Sequence, residues 1–233
     1  MLIHGHDLDT FQKCPRLLSF SKKDPQPSPP QFKDLYLYMA RWMWAAEVQH
    51  ECKTTEKRLK EKWAQLVVTE TNKRVKAGAT SLKSTQEVIA IGYPRVKDIY
   101  AHYLNYSLVP MAGTIPIVYK LNKDYRLKVY IDAIGVSTNG KTKVLLYTES
   151  KHNQHIPTRL KIIAQAFAAK ETLGIKEFDV YKLTRRGDQT VYSFKPQSRH
   201  KQWLLNACQQ IESKIDIPIL NCHHKCPYKQ KCK

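Results

Sequence analysis

Arg126-Leu-Lys-Val-Tyr-Ile-Asp132-Ala-Ile-Gly-Val136, followed closely by Lys143-Val-Leu-Leu-Tyr-Thr-Glu149-Ser-Lys151, decides the fold. Both stretches are rich in β-branched and aromatic residues, and the turn-like Ser137-Thr-Asn-Gly-Lys141 between them predicts a hairpin. A third such run, 115–121, precedes them across the turn-forming Asn122-Lys-Asp-Tyr125, which gives an antiparallel meander. Downstream, Ile156, Leu160, Ile163, Ala164 and Phe167 recur at helical spacing, and Gly174 stops that helix. Two more strands, about 178–184 and 190–195, flank the turn Arg185-Arg-Gly-Asp188, and a last helix runs from Ser198 to Ile215. The order β-β-β-α-β-β predicts an α/β fold with a mixed sheet flanked by helices.

Ahead of the meander the chain reads as helical. A short helix is expected after Asp7 or Asp9 as cap. Asp24-Pro-Gln-Pro-Ser-Pro-Pro30 cannot be regular helix and reads as a stiff linker. Helix follows from Phe32 to Lys76 with a break near Cys52, a stop at Gly78, and a further helix over Ser84–Tyr106. The 233 residues suit one domain: a helical part with the first cysteine (1–110), an α/β core (111–215) and a cysteine-rich tail (216–233). The balance of 39 Lys+Arg against 20 Asp+Glu, a net charge of +19, predicts a polyanionic partner. No run is long and apolar enough to cross a bilayer, and residues 1–10 lack a signal pattern. A cytoplasmic protein (in the host cytoplasm if the chain is viral) without a membrane role is expected.

Asp132 interrupts an apolar strand, where an isolated carboxylate needs a counter-charge, a proton or a bound cation. Glu149 stands in a similar setting, and Glu149 and Lys151 are two apart, so an extended strand puts both on one face. If the two strands pair, Asp132 reaches that face. Two carboxylates and an ammonium around one concavity can hold Mg²⁺ or Mn²⁺ beside a phosphate, with the ion activating water and Lys151 positioning it. The same Glu-x-Lys pattern is also common as a plain charge pair on an exposed strand.

Cys222-x3-Cys226-x5-Cys232 is a tight thiol cluster, three ligands where zinc and iron–sulfur sites commonly use four. Cys14, in Cys14-Pro-Arg16, is the best fourth, with His223 and His224 as rivals that would favour Zn²⁺. Cys52 and Cys208 stand alone in helical segments and read as packing thiols.

A leading Cys-Pro-Arg, a PD-(D/E)xK-like core and a trailing trio with Cys-Pro-Tyr together resemble the iron–sulfur RecB-like nucleases, among them the CRISPR-associated RecB-like exonucleases and the AddB nuclease domain. The resemblance spans Phe11 to Cys232. It implies that Cys14, Cys222, Cys226 and Cys232 hold a [4Fe–4S] cluster, with Zn²⁺ as the alternative. It implies Asp132, Glu149 and the Ser150 carbonyl as metal ligands, Lys151 as the catalytic lysine, and Gln165 as the family's glutamine. Three departures stand out. The first two tail cysteines are separated by three residues rather than two. Ala169 replaces a tyrosine. Trp44 stands where the family often has a helical histidine, with Glu47, His50 and His102 as available substitutes.

The resemblance implies a metal-dependent DNA exonuclease acting on single strands or frayed ends, in recombination, repair or phage DNA metabolism, with a helicase or recombination partner. The departures support a rival: a catalytically weak or inactive DNA-binding adaptor on the same scaffold. Trp42, Trp44, Trp63, Tyr93 and Tyr103 offer stacking surfaces, though most are expected in the core. The basic run 53–76, with Arg185, Arg186, Lys225, Lys229 and Lys231, offers a backbone-tracking surface.

Overall fold

The computed structural model describes residues 1–14, 18, 34–48, 55–76, 84–105, 108–149, 159–183 and 189–213. Its strands are β1 (Leu2–His4), β2 (Leu108–Lys120), β3 (Arg126–Ser137), β4 (Thr142–Glu149), β5 (Glu177–Leu183) and β6 (Gln189–Phe194). Its helices are α1 (Gly5–Lys13), α2 (Asp34–Val48), α3 (Glu56–Lys76), α4 (Thr85–Asn105), α5 (Leu160–Leu173) and α6 (Ser198–Ser213). The strands form one mixed sheet: β2-β3-β4 antiparallel, β4-β5 parallel, β5-β6 antiparallel, and β1 parallel to the start of β3. The α/β reading holds; the linker 24–30, the break near Cys52, the stop at Gly78, the turn 185–188 and the tail lie outside the described residues, and among the described elements, besides the start of the first helix, two differ. β1 was not foreseen, and β2 begins at Leu108 rather than Ile115.

The sheet separates two apolar clusters. One, under α1, α5 and α6, gathers Leu127, Val129, Ile131, Leu146, Phe167, Phe178 and Leu204. The other holds α2, α3 and α4 together through Met43, Trp44, Leu59, Trp63 and Val96, and reaches the sheet at Ala133. α5 is buried along nearly its whole length because Ile162, Ile163, Ala164, Ala166 and Phe167 leave no polar face there except Gln165. It ends at Gly174, whose φ of +69° is easy for glycine and whose N–H donates to the Lys170 carbonyl.

The first helix starts at Gly5, not after Asp7 or Asp9; Asp7 sits inside the first turn and accepts the His4 N–H at 3.1 Å. Trp44 and Trp63 are fully buried, with indole N–H groups donating to the carbonyls of Ala112 (2.8 Å) and Ile89 (3.1 Å). Neither is a stacking surface for a base. Trp44 lies flat on the β2–β3 pair, and a Cβ on Gly135 would stand 3.0 Å from its Cζ2 and 2.9 Å from the Val109 carbonyl, so the strand needs glycine there. Cys208 is buried in the first cluster, where burial pushes its thiol up to about 12, as expected of a packing thiol.

Candidate functional site

The site grows from a fork in the sheet. One edge of β3 is taken throughout by β2. The other is divided: β1 pairs with residues 126–128 and β4 with residues 133–136. Residues 129–132 face no described strand on that side. After Leu145, β4 continues alongside β5 as far as the Glu149–Leu183 pair but is no longer laddered to β3. A backbone strip opened in this way needs side-chain partners.

Gln165 supplies one. From α5, its Nε2 donates to the Tyr130 carbonyl at 2.5 Å and lies 3.4 Å from Asp132 Oδ2, a long approach. The Gln165 Oε1 is buried and unmatched, so one acceptor in the fork is available to a donor that enters it. Across the β2–β3 ladder, Thr114 lies between the Gly113–Ala133 and Ile115–Ile131 pairs, opposite Asp132. It has a φ of +51°, an uncommon conformation for a residue with a side chain, so the backbone is distorted on both sides of the aspartate.

Asp132 itself is fully buried. Arg41, on α2, answers its charge: Nε stands 2.7 Å and Nη2 2.6 Å from the same Oδ1. Both nitrogens converge on one oxygen, which leaves Oδ2 towards Gln165. The Arg41 side chain keeps 24% of its area exposed and also lines an adjoining cavity of about 520 Å³. The arginine was not foreseen. Its signal was present as a lone cation in the apolar run Leu35–Ala46, matching a lone acid in an apolar strand.

Of the sequence-predicted site residues, Asp132 and Gln165 come together. The Glu149 side chain, Ser150 and Lys151 lie outside the described residues. The backbone gives only the register: extending the Ala133–Leu145 pairing by one residue sets the buried Leu146 across from Asp132, with Glu149 three positions further along β4, about 10 Å. Asp132 and Glu149 thus stand on the two arms of the fork. Cys14 is half-buried at the end of α1; Cys222, Cys226 and Cys232 lie outside the described residues. So do the substitutes for the helical histidine, namely His50 and the side chains of Glu47 and His102. Trp44 is structural, and one helical turn before it Arg41 is the α2 residue that meets Asp132. Among the described residues no three His, Cys, Asp or Glu side chains gather closely enough to hold a metal ion. No described helix is long and apolar enough to cross a membrane.

The overall arrangement has solved counterparts. A protein from Eubacterium rectale provisionally named an exonuclease aligns with 92% of this chain and 83% of its own, at a TM-score of 0.50 and 7% identity. The two share a fold. At that identity, nothing more follows from the likeness. SSO0001 covers 99% of this chain and 85% of its own at a TM-score of 0.49 and 13% identity. LHK-Exo, an alkaline exonuclease from Laribacter hongkongensis, covers 78% and 93% at a TM-score of 0.31 and 10% identity. These two scores are too low for an argument. No family model and no curated protein matches the sequence.

Proposed function

We propose that the chain is a metal-dependent DNA exonuclease that hydrolyses phosphodiester bonds at single-stranded or frayed ends. The observation that carries this reading is the buried Asp132 at the sheet fork, beside Gln165 and an open cationic cavity. Asp132, Glu149 and the Ser150 carbonyl would hold Mg²⁺ or Mn²⁺, which when bound polarises the phosphodiester and activates water. The described donors fit on one condition. Arg41 occupies Oδ1, so it must turn outward, and the cavity gives its exposed end room to do so. Gln165 fixes the carboxylate from the other side, and Lys151 would orient the attacking water and the phosphate. Cys14, Cys222, Cys226 and Cys232 would clip the two ends of the chain around a [4Fe–4S] cluster or Zn²⁺. A helicase or recombination partner and a cytoplasmic setting belong to the same reading.

The test is release of nucleotides from end-labelled single strands with Mn²⁺. Asp132→Ala and Lys151→Ala should each lower the rate at least a hundredfold while leaving DNA binding in place. Wild-type release insensitive to both substitutions sinks the proposal. Broad visible absorption in anaerobically purified protein, lost in Cys226→Ser, would mark iron–sulfur; a colourless, zinc-containing protein would mark the alternative.

A second reading is a DNA-binding adaptor that does not cut. The Arg41 guanidinium already neutralises Asp132, and the register sets leucine rather than an acid across from it. Wild type that binds single strands but releases nothing with any divalent ion would establish it.

A further inference from the structure

The cavity beside Arg41 is assembled from five separate parts of the chain, Thr114 of β2 among them. Tyr38, Arg41, Trp42 and Ala45, at i, i+3, i+4 and i+7 of α2, form one wall. Lys128 and Tyr130, two apart on β3, form the floor. The His4-Gly-His6 junction of β1 and α1 and Lys161 of α5 close the end. Gly5 lies beneath both lysines: a Cβ there would sit 3.8 Å from the Lys128 carbonyl and 3.8 Å from Lys161 Cγ.

Three properties of this cavity narrow its occupant. No acidic residue lines it, and no carboxylate among the described residues pairs with Lys128 or Lys161, so two lysines add positive charge to a wall whose Arg41 is already paired with Asp132. Two acids stand behind its walls: Asp132 is held by Arg41, and Asp7 is buried and turned to the His4 N–H and to His6 Nε2, 3.3 Å away. Tyr38 and Tyr130 expose 59% and 48% of their surface at its rim, where large aromatic faces are otherwise costly to leave in water. The volume of about 520 Å³ lies in the roughly 300–1,000 Å³ range of small-ligand pockets, too small for a duplex.

We infer that this pocket binds one nucleotide unit of a single-stranded nucleic acid, its phosphate between Lys128 and Lys161 and its base against Tyr38 and Tyr130. Lysines and arginines neutralise the backbone and exposed rings stack on an unpaired base without regard to its identity. This deepens the nuclease reading by placing a strand beside Asp132, but the binding itself does not depend on hydrolysis.

The test is fluorescence-anisotropy titration of a short labelled oligothymidylate in EDTA, where no cutting can occur. The Lys128→Ala/Lys161→Ala pair should weaken binding and lower the salt slope by about 0.7, since the two lysines share one phosphate and each single-strand phosphate neutralised adds about 0.7. The Tyr38→Ala/Tyr130→Ala pair should weaken binding about tenfold or more; both tyrosines are exposed enough to remove without emptying the core. Lys195→Ala/Lys201→Ala, two exposed lysines beyond β6 and on α6 that do not line the cavity, is the control for diffuse charge. Lysine and tyrosine variants that bind like wild type, or a control that loses as much as the lysine pair, overturn the proposal. Weaker binding with the lysine pair alone, matched by competition from inorganic phosphate, also overturns it, because a bare anion site would then suffice. Weaker binding in both pairs with no Mn²⁺-dependent release in wild type would keep the pocket and remove the nuclease. Release that persists undiminished in all of them would do the reverse.

Discussion

Two aspartates are buried in the middle of the sheet, and they are held in opposite ways. Asp179 on β5 is served by its strand neighbours: Ser193 Oγ, directly across on β6, donates at 2.9 Å, and Lys143 Nζ on β4 stands 3.3 Å away. Asp132 draws on other layers: Arg41 and Gln165 reach it from helices 91 and 33 residues away, and β4 has forked off beside it. Asp179 closes a sheet; Asp132 marks where a sheet is opened, and its partner Arg41 lines a cavity. A buried charge served by local ladder partners is a structural clamp. One served by distant layers, at a distorted backbone and beside a pocket, has the hallmarks of a site.

The comparison is most exposed to removal of Arg41. Arg41→Ala leaves the Asp132 carboxylate buried without its counter-charge, which should cost about 3–5 kcal/mol by urea denaturation. Arg41→Met with Asp132→Leu should recover most of that stability, since replacing a buried pair with apolar groups is often nearly neutral. A single variant within about 1 kcal/mol of wild type would show that the pair does not hold the fork together. If Arg41→Ala folds and then binds Mn²⁺ more tightly than wild type by calorimetry, the guanidinium occupies the place a cation would take.

Asp179→Asn should cost less, on the order of 1 kcal/mol, because the amide still accepts from Ser193 and the Lys143 side chain is a quarter exposed and retains Glu177 at 3.8 Å. Nucleic-acid binding should be unchanged. A cost equal to that of Arg41→Ala, or a binding defect, would erase the distinction between clamp and site.

The strands and helices around the fork were far more legible in the sequence than the long-range contacts that meet at it; Asp179 and its clamp were not read there at all. β3 and β4 announce themselves through apolar alternation across an Asn-Gly turn, and α5 through its period and terminal glycine; both are local signals. β1 has three residues, too few for a period, and exists because the Met1 carbonyl and β3 take it up. The start of β2 was hidden by Pro110, while Pro116 fell inside the run read as strand. Both are tolerated because β2 pairs only with β3 among the described residues, and the ladder shifts register between Pro110 and Ala112. Asp132 was conspicuous as an acid in an apolar strand, yet its counter-charge was not, because Arg41 and Asp132 share no element and no spacing rule. The aromatic side chains divided the same way. Trp44 was among the stacking candidates and Tyr38 was not; only the packing of α2 shows Trp44 pressed on glycine and Tyr38 open at the rim.

The smallest effect concerns a third buried titratable group, far from the fork. His200 on α6 is 2% exposed, between the rings of Phe194 and Trp203, with Nδ1 accepting the Gln197 N–H at 3.0 Å and Nε2 unmatched. Burial, and then the charge of Arg199, lower its pKa from the usual 6.5. The folded protein therefore holds His200 neutral at pH values where the unfolded chain has begun to take up a proton. The unfolded state binds more protons in that window, so stability is full above 6.5 and declines as pH falls below it. His200→Asn keeps an acceptor near the Nδ1 position and removes the titration. Its unfolding midpoint should fall less than that of wild type between about pH 7.5 and about pH 5.5. Parallel curves for the two proteins would show that His200 is protonated as readily in the fold as out of it. A steeper decline in the variant would mean that the acid-sensitive interactions lie elsewhere.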